Sequence, residues 1–210
     1  MIYSENILVC VAIPLLIALI FTRRSTRRFI MAFVTGMVIC LISAYISGFL
    51  KIVIDIEQED MAIRYSPIVE EIMKLLPLVF YMFVFSPKDD KMLIVALGVG
   101  LGFATFENCC YILSVGAEEF TYVLIRGLAV GVMHLVCSLA LVMSLCISRY
   151  YKVFSLPAVV GALATSTTFH GLYNLLVSQE GASAYLGYFL PLLTAVLLYV
   201  PFKKTMNEKF

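Results

Sequence analysis

The chain has 210 residues, of which 62% are hydrophobic and only 14% charged, and its formal net charge is +1. A soluble domain carries about 25% charged residues, so this composition excludes an ordinary soluble protein and predicts an integral membrane protein. The near-zero net charge also gives nucleic-acid binding no basic surface. No polar stretch is long enough to form a separate domain, so we expect one membrane domain over residues 1–210, with no nucleic-acid partner.

Seven apolar stretches follow one another along the chain, and each approaches the length of about 20 residues that a membrane-spanning helix needs. They are continuously apolar, whereas strands of a membrane barrel alternate between apolar and polar positions. The predicted spans are residues 5–21, 29–54, 61–85, 91–113, 122–148, 153–177 and 183–201. We therefore expect an all-α, polytopic membrane helix bundle of about seven transmembrane helices.

The loops between the predicted spans differ in the sign of their charge. Of the 15 basic residues, 11 lie in the loops on one side and none lies in the loops on the other side. The opposite loops carry acids instead, at 55–60, 118–119 and 180. Because basic loops mark the cytoplasmic face, the predicted topology is N-out/C-in, which requires an odd number of spans.

Seven ionisable side chains remain inside the predicted spans once the loops and the residues flanking them are left out. Each costs about 2.5–3.5 kcal/mol near the centre of a span, so such residues indicate a functional site. Counted from the outer ends of their spans at 1.5 Å per residue, they lie within roughly 6–18 Å of the outer surface. We therefore expect four spans to bring one site together in the outer half of the membrane, formed by Glu70, Glu71, Lys74, Glu107, Arg126, His134 and His170.

Helical spacing assigns provisional roles to these residues. Lys74 can pair with Glu70 at i+4 or with Glu71 at i+3. Because one glutamate satisfies that pair, the second is surplus, and we interpret it as functional. Lys74 and Arg126 are interpreted as structural or charge-balancing residues, and Asn108 as a residue that orients Glu107. The nearby Tyr111 and Tyr122 are interpreted as interfacial belt residues.

The same residue types supply the parts needed to hydrolyse an amide. A carboxylate near a histidine can hold and deprotonate a water molecule. His170, with Asn174 four residues later on the same helical face, can donate hydrogen bonds to a developing oxyanion.

Zinc is an alternative way to activate the water. The candidate ligands are Glu107, His134, His170 and one of the two adjacent glutamates, with Glu71 preferred. The chain has no His-Glu-x-x-His motif, so this alternative lacks its most specific sequence signature.

Four short motifs, in this order and on separate spans, resemble those of the PrsW family of intramembrane proteases. The resemblance covers roughly residues 60–177, the motif-bearing core of the single domain. The motifs are Glu70-Glu71-Ile72-Met73-Lys74, Gly102-Phe103-Ala104-Thr105-Phe106-Glu107-Asn108, Arg126 with His134, and His170-Gly171-Leu172-Tyr173-Asn174.

The PrsW family is distantly similar to CAAX prenyl endopeptidases and bacteriocin-processing proteins. The resemblance implies that Glu70 or Glu71 is the general base, and that Glu107 stands where those relatives carry a water-holding histidine. It also implies that His170 and Asn174 form the oxyanion-stabilising pair and that His134 is the remaining family histidine.

The resemblance further implies a catalytic type, a substrate and a location. We expect a glutamic-type endopeptidase without a cofactor, with a zinc enzyme as the alternative. The implied substrate is a single-pass membrane protein such as an anti-sigma factor, cut near the outer face of a bacterial cytoplasmic membrane.

Two other functions use similar residues. A proton-coupled transporter also places acids and histidines in its spans, but here the inner halves of the motif-bearing spans contain almost no ionisable groups. A non-catalytic peptide-binding membrane protein of the same fold is the second alternative.

Overall fold

The structure is a computed structural model that describes residues 24–115, 120–151 and 156–209. Within these residues it is all helical, as predicted, and the predicted first span, residues 5–21, lies outside them. A single turn, Gln58–Asp60, and a π-helical segment, Met61–Tyr65, precede the second long helix. We call Met61–Tyr65 the π segment. The six long helices are α1 (Arg24–Ile54), α2 (Ser66–Phe85), α3 (Asp89–Val115), α4 (Phe120–Tyr150), α5 (Leu156–Val177) and α6 (Ala182–Lys209).

Three of the described helices are long and apolar enough to cross a membrane, namely Arg24–Ile54, Asp89–Ser114 and Phe120–Tyr150. In α6 the apolar part is shorter and covers Ala182–Leu198. Large apolar side chains such as Phe49 and Phe80 are exposed on the outside of the bundle, where lipid would cover them. These features confirm a helical membrane protein, while the count of seven spans and their direction stay predictions.

The helices α1 and α3 pack at backbone contact. Gly36 on α1 faces the backbone of Val99, and Gly102 on α3 faces the backbone of Phe33. A Cβ atom at either glycine would collide with a carbonyl oxygen, so only glycine permits this approach. The contact fixes α3, which carries Glu107, directly against α1.

A proline shapes the start of α2. The Ser66 N–H bonds to the Met61 carbonyl five residues earlier, and Pro67 follows it in the first turn of α2. Within an α-helix, proline lacks a donor and clashes with the carbonyl four residues before it. The wider π-helical segment ends at Tyr65, two residues before this proline. It leads into α2, where Glu70 and Glu71 lie in the second turn.

Apolar clusters surround the polar centre of the bundle. One joins α2, α3 and α4 around Leu78, Val99, Leu141 and Leu145. A second joins α3, α4 and α5 around Ala104, Val130, Met133 and Tyr173. A third joins α1 and α3 around Met37, Cys40, Phe103 and Phe106. The ionisable side chains of the spans therefore meet in a region that is otherwise apolar.

Candidate active site

Lys74 lies at the centre of the site and is fully buried. Its Nζ donates to Glu71 Oε1 at 2.5 Å and to His134 Nδ1 at 2.9 Å. The spacing of the sequence allowed either glutamate as partner, and the structure selects Glu71. Because a lysine ammonium only donates hydrogen bonds, His134 Nδ1 must act as an acceptor.

This assignment fixes the other side of the His134 ring. With Nδ1 accepting, the neutral ring carries its hydrogen on Nε2, which donates to Glu107 Oε2 at 2.5 Å. Glu107 Oε1 lies 3.5 Å from Arg126 Nη2. Both oxygens of the Glu107 carboxylate are therefore held, one by an imidazole and the other by a guanidinium.

His170 joins the two adjacent glutamates of α2. Its Nδ1 donates to Glu71 Oε1 at 2.9 Å, and its Nε2 lies 3.7 Å from Glu70 Oε2. The rings of His170 and His134 meet edge to face, with centroids 5.0 Å apart. The predicted convergence of four helices is therefore seen in the structure: α2, α3, α4 and α5 each contribute at least one of these side chains.

These contacts form one continuous series, which we call the polar network. Its four inner members, Glu71, Lys74, His134 and His170, are buried. Its two ends differ, because the side chains of Glu70 and Glu107 keep 17% and 31% of their surface exposed. In order, the polar network is Glu70, His170, Glu71, Lys74, His134 and Glu107.

Both ends of the polar network line the same cavity. The cavity has a volume of about 300 Å³, which is at the lower limit for small-molecule sites. Small side chains of α1 form one wall, at Ala44, Ser47 and Gly48. Lys51 and Gln58 also line the cavity, and Lys51 Nζ donates to Gln58 Oε1 at 2.7 Å.

The charges of the site leave one carboxylate without a cationic partner. Lys74 pairs with Glu71, and Arg126 pairs with Glu107. Among the described residues, no lysine or arginine lies within 4.0 Å of the Glu70 carboxylate. Glu70 Oε2 and Glu71 Oε2 are both buried without a hydrogen-bond partner among the described residues, and such atoms normally mark a water or ligand position. Of these two side chains, Glu70 lines the cavity. The surplus glutamate of the sequence prediction is therefore Glu70.

Three predicted site residues lie outside the polar network: Arg126, which contacts Glu107 at its end, and the two asparagines. The Asn174 amide donates one of its two N–H groups to the Ala62 carbonyl, with Nδ2 at 2.9 Å from the oxygen. Asn108 Oδ1 is buried without a partner among the described residues, and none of the hydrogen bonds there joins Asn108 to Glu107. The predicted His170–Asn174 pair is therefore divided between the polar network and a backbone contact.

Two tyrosines that the sequence predicts as interfacial belt residues lie beside Arg126 at the edge of the site. The guanidinium carbon of Arg126 lies 3.4 Å from the centre of the Tyr111 ring, and the hydroxyls of Tyr111 and Tyr122 are 2.8 Å apart. We call Tyr111, Tyr122 and Arg126 the tyrosine–arginine cluster. Helical spacing is the signal that could have revealed it, because Tyr111 follows Glu107 by four residues and Tyr122 precedes Arg126 by four.

A group that could hold a metal ion also exists at this site. Ligand atoms of Glu70, His134 and His170 all lie within 4.8 Å of one another. Two imidazoles and one carboxylate are a known donor set for catalytic zinc, so the residues fit that ion by donor type. The group contains Glu70 in place of Glu71 and Glu107 of the predicted ligand set, since those two carboxylates are held by Lys74 and by His134 with Arg126.

One protein family matches most of the chain. No curated protein and no solved structure showed a significant match. The family model described as "PrsW family intramembrane metalloprotease" matches residues 24–202, which include all of the polar network and the wall of the cavity on α1. The chain therefore belongs to the PrsW family of intramembrane proteases.

Proposed function

We propose that this protein hydrolyses a peptide bond of a membrane-anchored substrate with a water molecule activated by Glu70. One observation carries the proposal. Lys74 pairs with Glu71 and Arg126 pairs with Glu107. Among the described residues Glu70 has only His170 within 4.0 Å as a basic neighbour, and its side chain lines the cavity. A carboxylate without a cationic partner is the stronger proton acceptor of two otherwise similar groups.

Glu71 is the weaker candidate for the general base. Its side chain is fully buried, and Oε1 is shared between Lys74 Nζ and His170 Nδ1. A base has to reach the proton that it removes, directly or through one water. In this proposal Glu71 is a positioning residue that holds His170 and Lys74.

The first chemical step uses the two carboxylates at the cavity. Glu70 removes a proton from the water while the water oxygen forms a bond to the substrate carbonyl carbon. Glu107, held by His134 and Arg126, accepts the second hydrogen bond of the water and so fixes its orientation. Positioning of this kind lowers the barrier because less freedom is lost in the reaction itself.

His170 acts next. Because Glu71 holds the Nδ1 hydrogen, Nε2 faces Glu70 and can take over the proton. The positively charged ring then stabilises the negative charge on the carbonyl oxygen. When the carbon–nitrogen bond breaks, the proton passes to the leaving amine, so Glu70 and His170 return to their starting states.

The proposed topology is seven spans with the N-terminus outside and the C-terminus inside. It places the cavity residues Lys51 and Gln58 at the outer face, beside the acidic residues 55–60. The proposed substrate is a single-pass membrane protein of the anti-sigma-factor type, and the proposed location is a bacterial cytoplasmic membrane. Support comes from the charge asymmetry of the loops and from family membership.

A zinc-dependent form of the same reaction is the second candidate, favoured by the group of Glu70, His134 and His170. Zinc held there would polarise a water molecule and make it nucleophilic. Lys74 Nζ lies 2.9 Å from His134 Nδ1, and this positive charge opposes a second cation. We therefore prefer the carboxylate mechanism. Treatment of the purified enzyme with a chelator should then leave its peptide cleavage rate unchanged, whereas a tenfold loss restored by zinc would establish the metal form.

The function is tested in cells that lack a native copy of the protein. Wild type, Glu70→Gln and the control Glu59→Gln are expressed at equal levels, and terminal-peptide mass spectrometry compares the outer fragments of single-pass membrane proteins. Glu59 is an exposed acid in the turn before the π segment, so its loss should change nothing. We expect one or more fragments in wild type and Glu59→Gln that are absent in Glu70→Gln. Identical fragment sets from three well-folded proteins would overturn the protease proposal and favour transport or peptide binding.

A further inference from the structure

The contact between α5 and the π segment has an unusual origin. In the π segment the Ser66 N–H bonds to the carbonyl of Met61, five residues earlier. The next carbonyl in this series is that of Ala62, and the residue five positions later is Pro67. Because proline has no N–H, the backbone supplies no π-type donor for the Ala62 carbonyl.

Asn174 supplies that donor from another helix. Its Nδ2 lies 2.9 Å from the Ala62 carbonyl oxygen, so the carbonyl is satisfied by a side chain of α5. Carbonyls buried away from water need such a partner. The sequence therefore removes a backbone donor at Pro67 and replaces it with the amide of Asn174.

Two further contacts lie on the same face of α5. A Cβ atom at Gly171 would lie 3.0 Å from the Ile63 carbonyl oxygen, so glycine allows α5 to come close to the π segment. One turn before Asn174, His170 Nδ1 donates to Glu71 Oε1 at 2.9 Å. His170, Gly171 and Asn174 thus join α5 to the π segment and α2 at three neighbouring points.

We propose that Asn174 is a positioning residue that replaces the N–H missing at Pro67 and thereby sets the spacing between His170 and Glu70. The resemblance to related enzymes implies that Asn174 donates to the substrate oxyanion. In this proposal its amide instead acts on the Ala62 carbonyl. This inference rests on the proposed function for its kinetic test, but the contact itself can be tested without any substrate.

The test is a double-mutant cycle with Asn174→Ala, Pro67→Ala and the double variant in the full-length protein. Each is purified in detergent. Its kcat and KM are measured with a fluorogenic peptide that spans the cleavage site identified in cells, and its Tm is measured by thermal unfolding. Alanine at 67 restores an N–H that can bond to Ala62. We expect Asn174→Ala to lower kcat at least tenfold with little change in KM, and to lower Tm. The double variant should recover most of both losses.

If kcat does not recover in the double variant, Asn174 has the alternative role of donating to the oxyanion. If Asn174 donates to the oxyanion, the double variant should have the same low kcat as Asn174→Ala, even where its Tm recovers. That result would overturn the proposal. If wild type and Glu70→Gln do not differ in peptide cleavage, the proposed function fails. The coupling between positions 67 and 174 in Tm then still decides whether the positioning contact exists.

A second variant keeps the test decisive if Pro67→Ala alone changes the π segment. Gly171→Ala presses a methyl group against the Ile63 carbonyl without altering the Asn174 amide. Its control is Gly161→Ala on the same helix, where a Cβ atom meets nothing within 4 Å. We expect a kcat loss of at least fivefold for Gly171→Ala and less than twofold for Gly161→Ala. Equal, near-normal kcat values in both, beside an inactive Asn174→Ala, would overturn the proposal.

Discussion

The buried middle of the polar network and its two ends at the cavity use the same kinds of residue in opposite ways. In the middle, Glu71 is held by both Lys74 and His170. At the cavity, no lysine or arginine of the described part of the chain lies within 4.0 Å of Glu70, and its side chain keeps part of its surface exposed. Two glutamates that are neighbours in sequence therefore differ in burial and in charge compensation.

This difference separates positioning from reaction. A buried ion pair gains little stability overall, because desolvation offsets the attraction, but losing one partner is very costly. Loss of one member from the middle of the polar network is therefore expected to be costly, because its neighbours would stay buried without their partner. An unpaired carboxylate held by such a frame keeps its reactivity and gains a fixed position.

The largest expected effect separates the two adjacent glutamates. Glu70→Gln removes the proposed base and should lower kcat by about 10²–10⁴-fold while leaving Tm close to that of wild type. Glu71→Gln leaves Lys74 without its carboxylate partner and should lower Tm clearly. Both variants are compared by peptide cleavage and by thermal unfolding in the same detergent. A Glu71→Gln protein as stable as wild type, or a Glu70→Gln protein that unfolds early, would break the distinction.

The next effect concerns Lys74. Lys74→Met leaves the buried carboxylate of Glu71 uncompensated, which should cost about 3–5 kcal/mol of unfolding free energy. The double variant Lys74→Met/Glu71→Gln should lose less, because it removes both charges. Arg64→Met is the control, since Arg64 and Asp60 form an exposed ion pair worth less than about 1 kcal/mol. Denaturant unfolding in detergent measures all three, and equal losses for Lys74→Met and Arg64→Met would contradict a buried structural role.

Much of this arrangement could be predicted because it follows from hydropathy. Long apolar runs predicted the described helices to within a few residues, apart from the C-terminal end of α6. The common depth of the ionisable residues predicted that Glu70, Glu107, His134 and His170 would meet. The first prediction depends on the hydropathy and length of single segments. The second also depends on the predicted direction of each span, which comes from the charges of the loops.

Other features depend on contacts that no single segment encodes. The i+3 and i+4 positions around Lys74 are equally good in an isolated helix, so the choice of Glu71 requires the position of His134. The wall of the cavity comes from Ala44, Ser47 and Gly48, which belong to none of the motifs. The contact of Asn174 depends on the Ala62 carbonyl, which lacks a π-type backbone donor because residue 67 is a proline. Each of these is set by packing between helices.

The smallest expected effect lies at the tyrosine–arginine cluster, which is more exposed than the buried middle of the polar network. Tyr111→Leu removes the ring against which Arg126 lies and should loosen Arg126 and, through it, Glu107. A cation–π contact is worth about 0.5–2 kcal/mol, which corresponds to a loss of roughly 2- to 30-fold in kcat. Tyr111→Phe keeps the ring and loses only the hydroxyl contact with Tyr122, so its kcat should stay within twofold of wild type. If both variants lost activity equally, the hydroxyl contact would be what positions Glu107. If neither variant lost activity, the contact with His134 would be enough to hold Glu107, and the Tyr111 ring would have no part in positioning it.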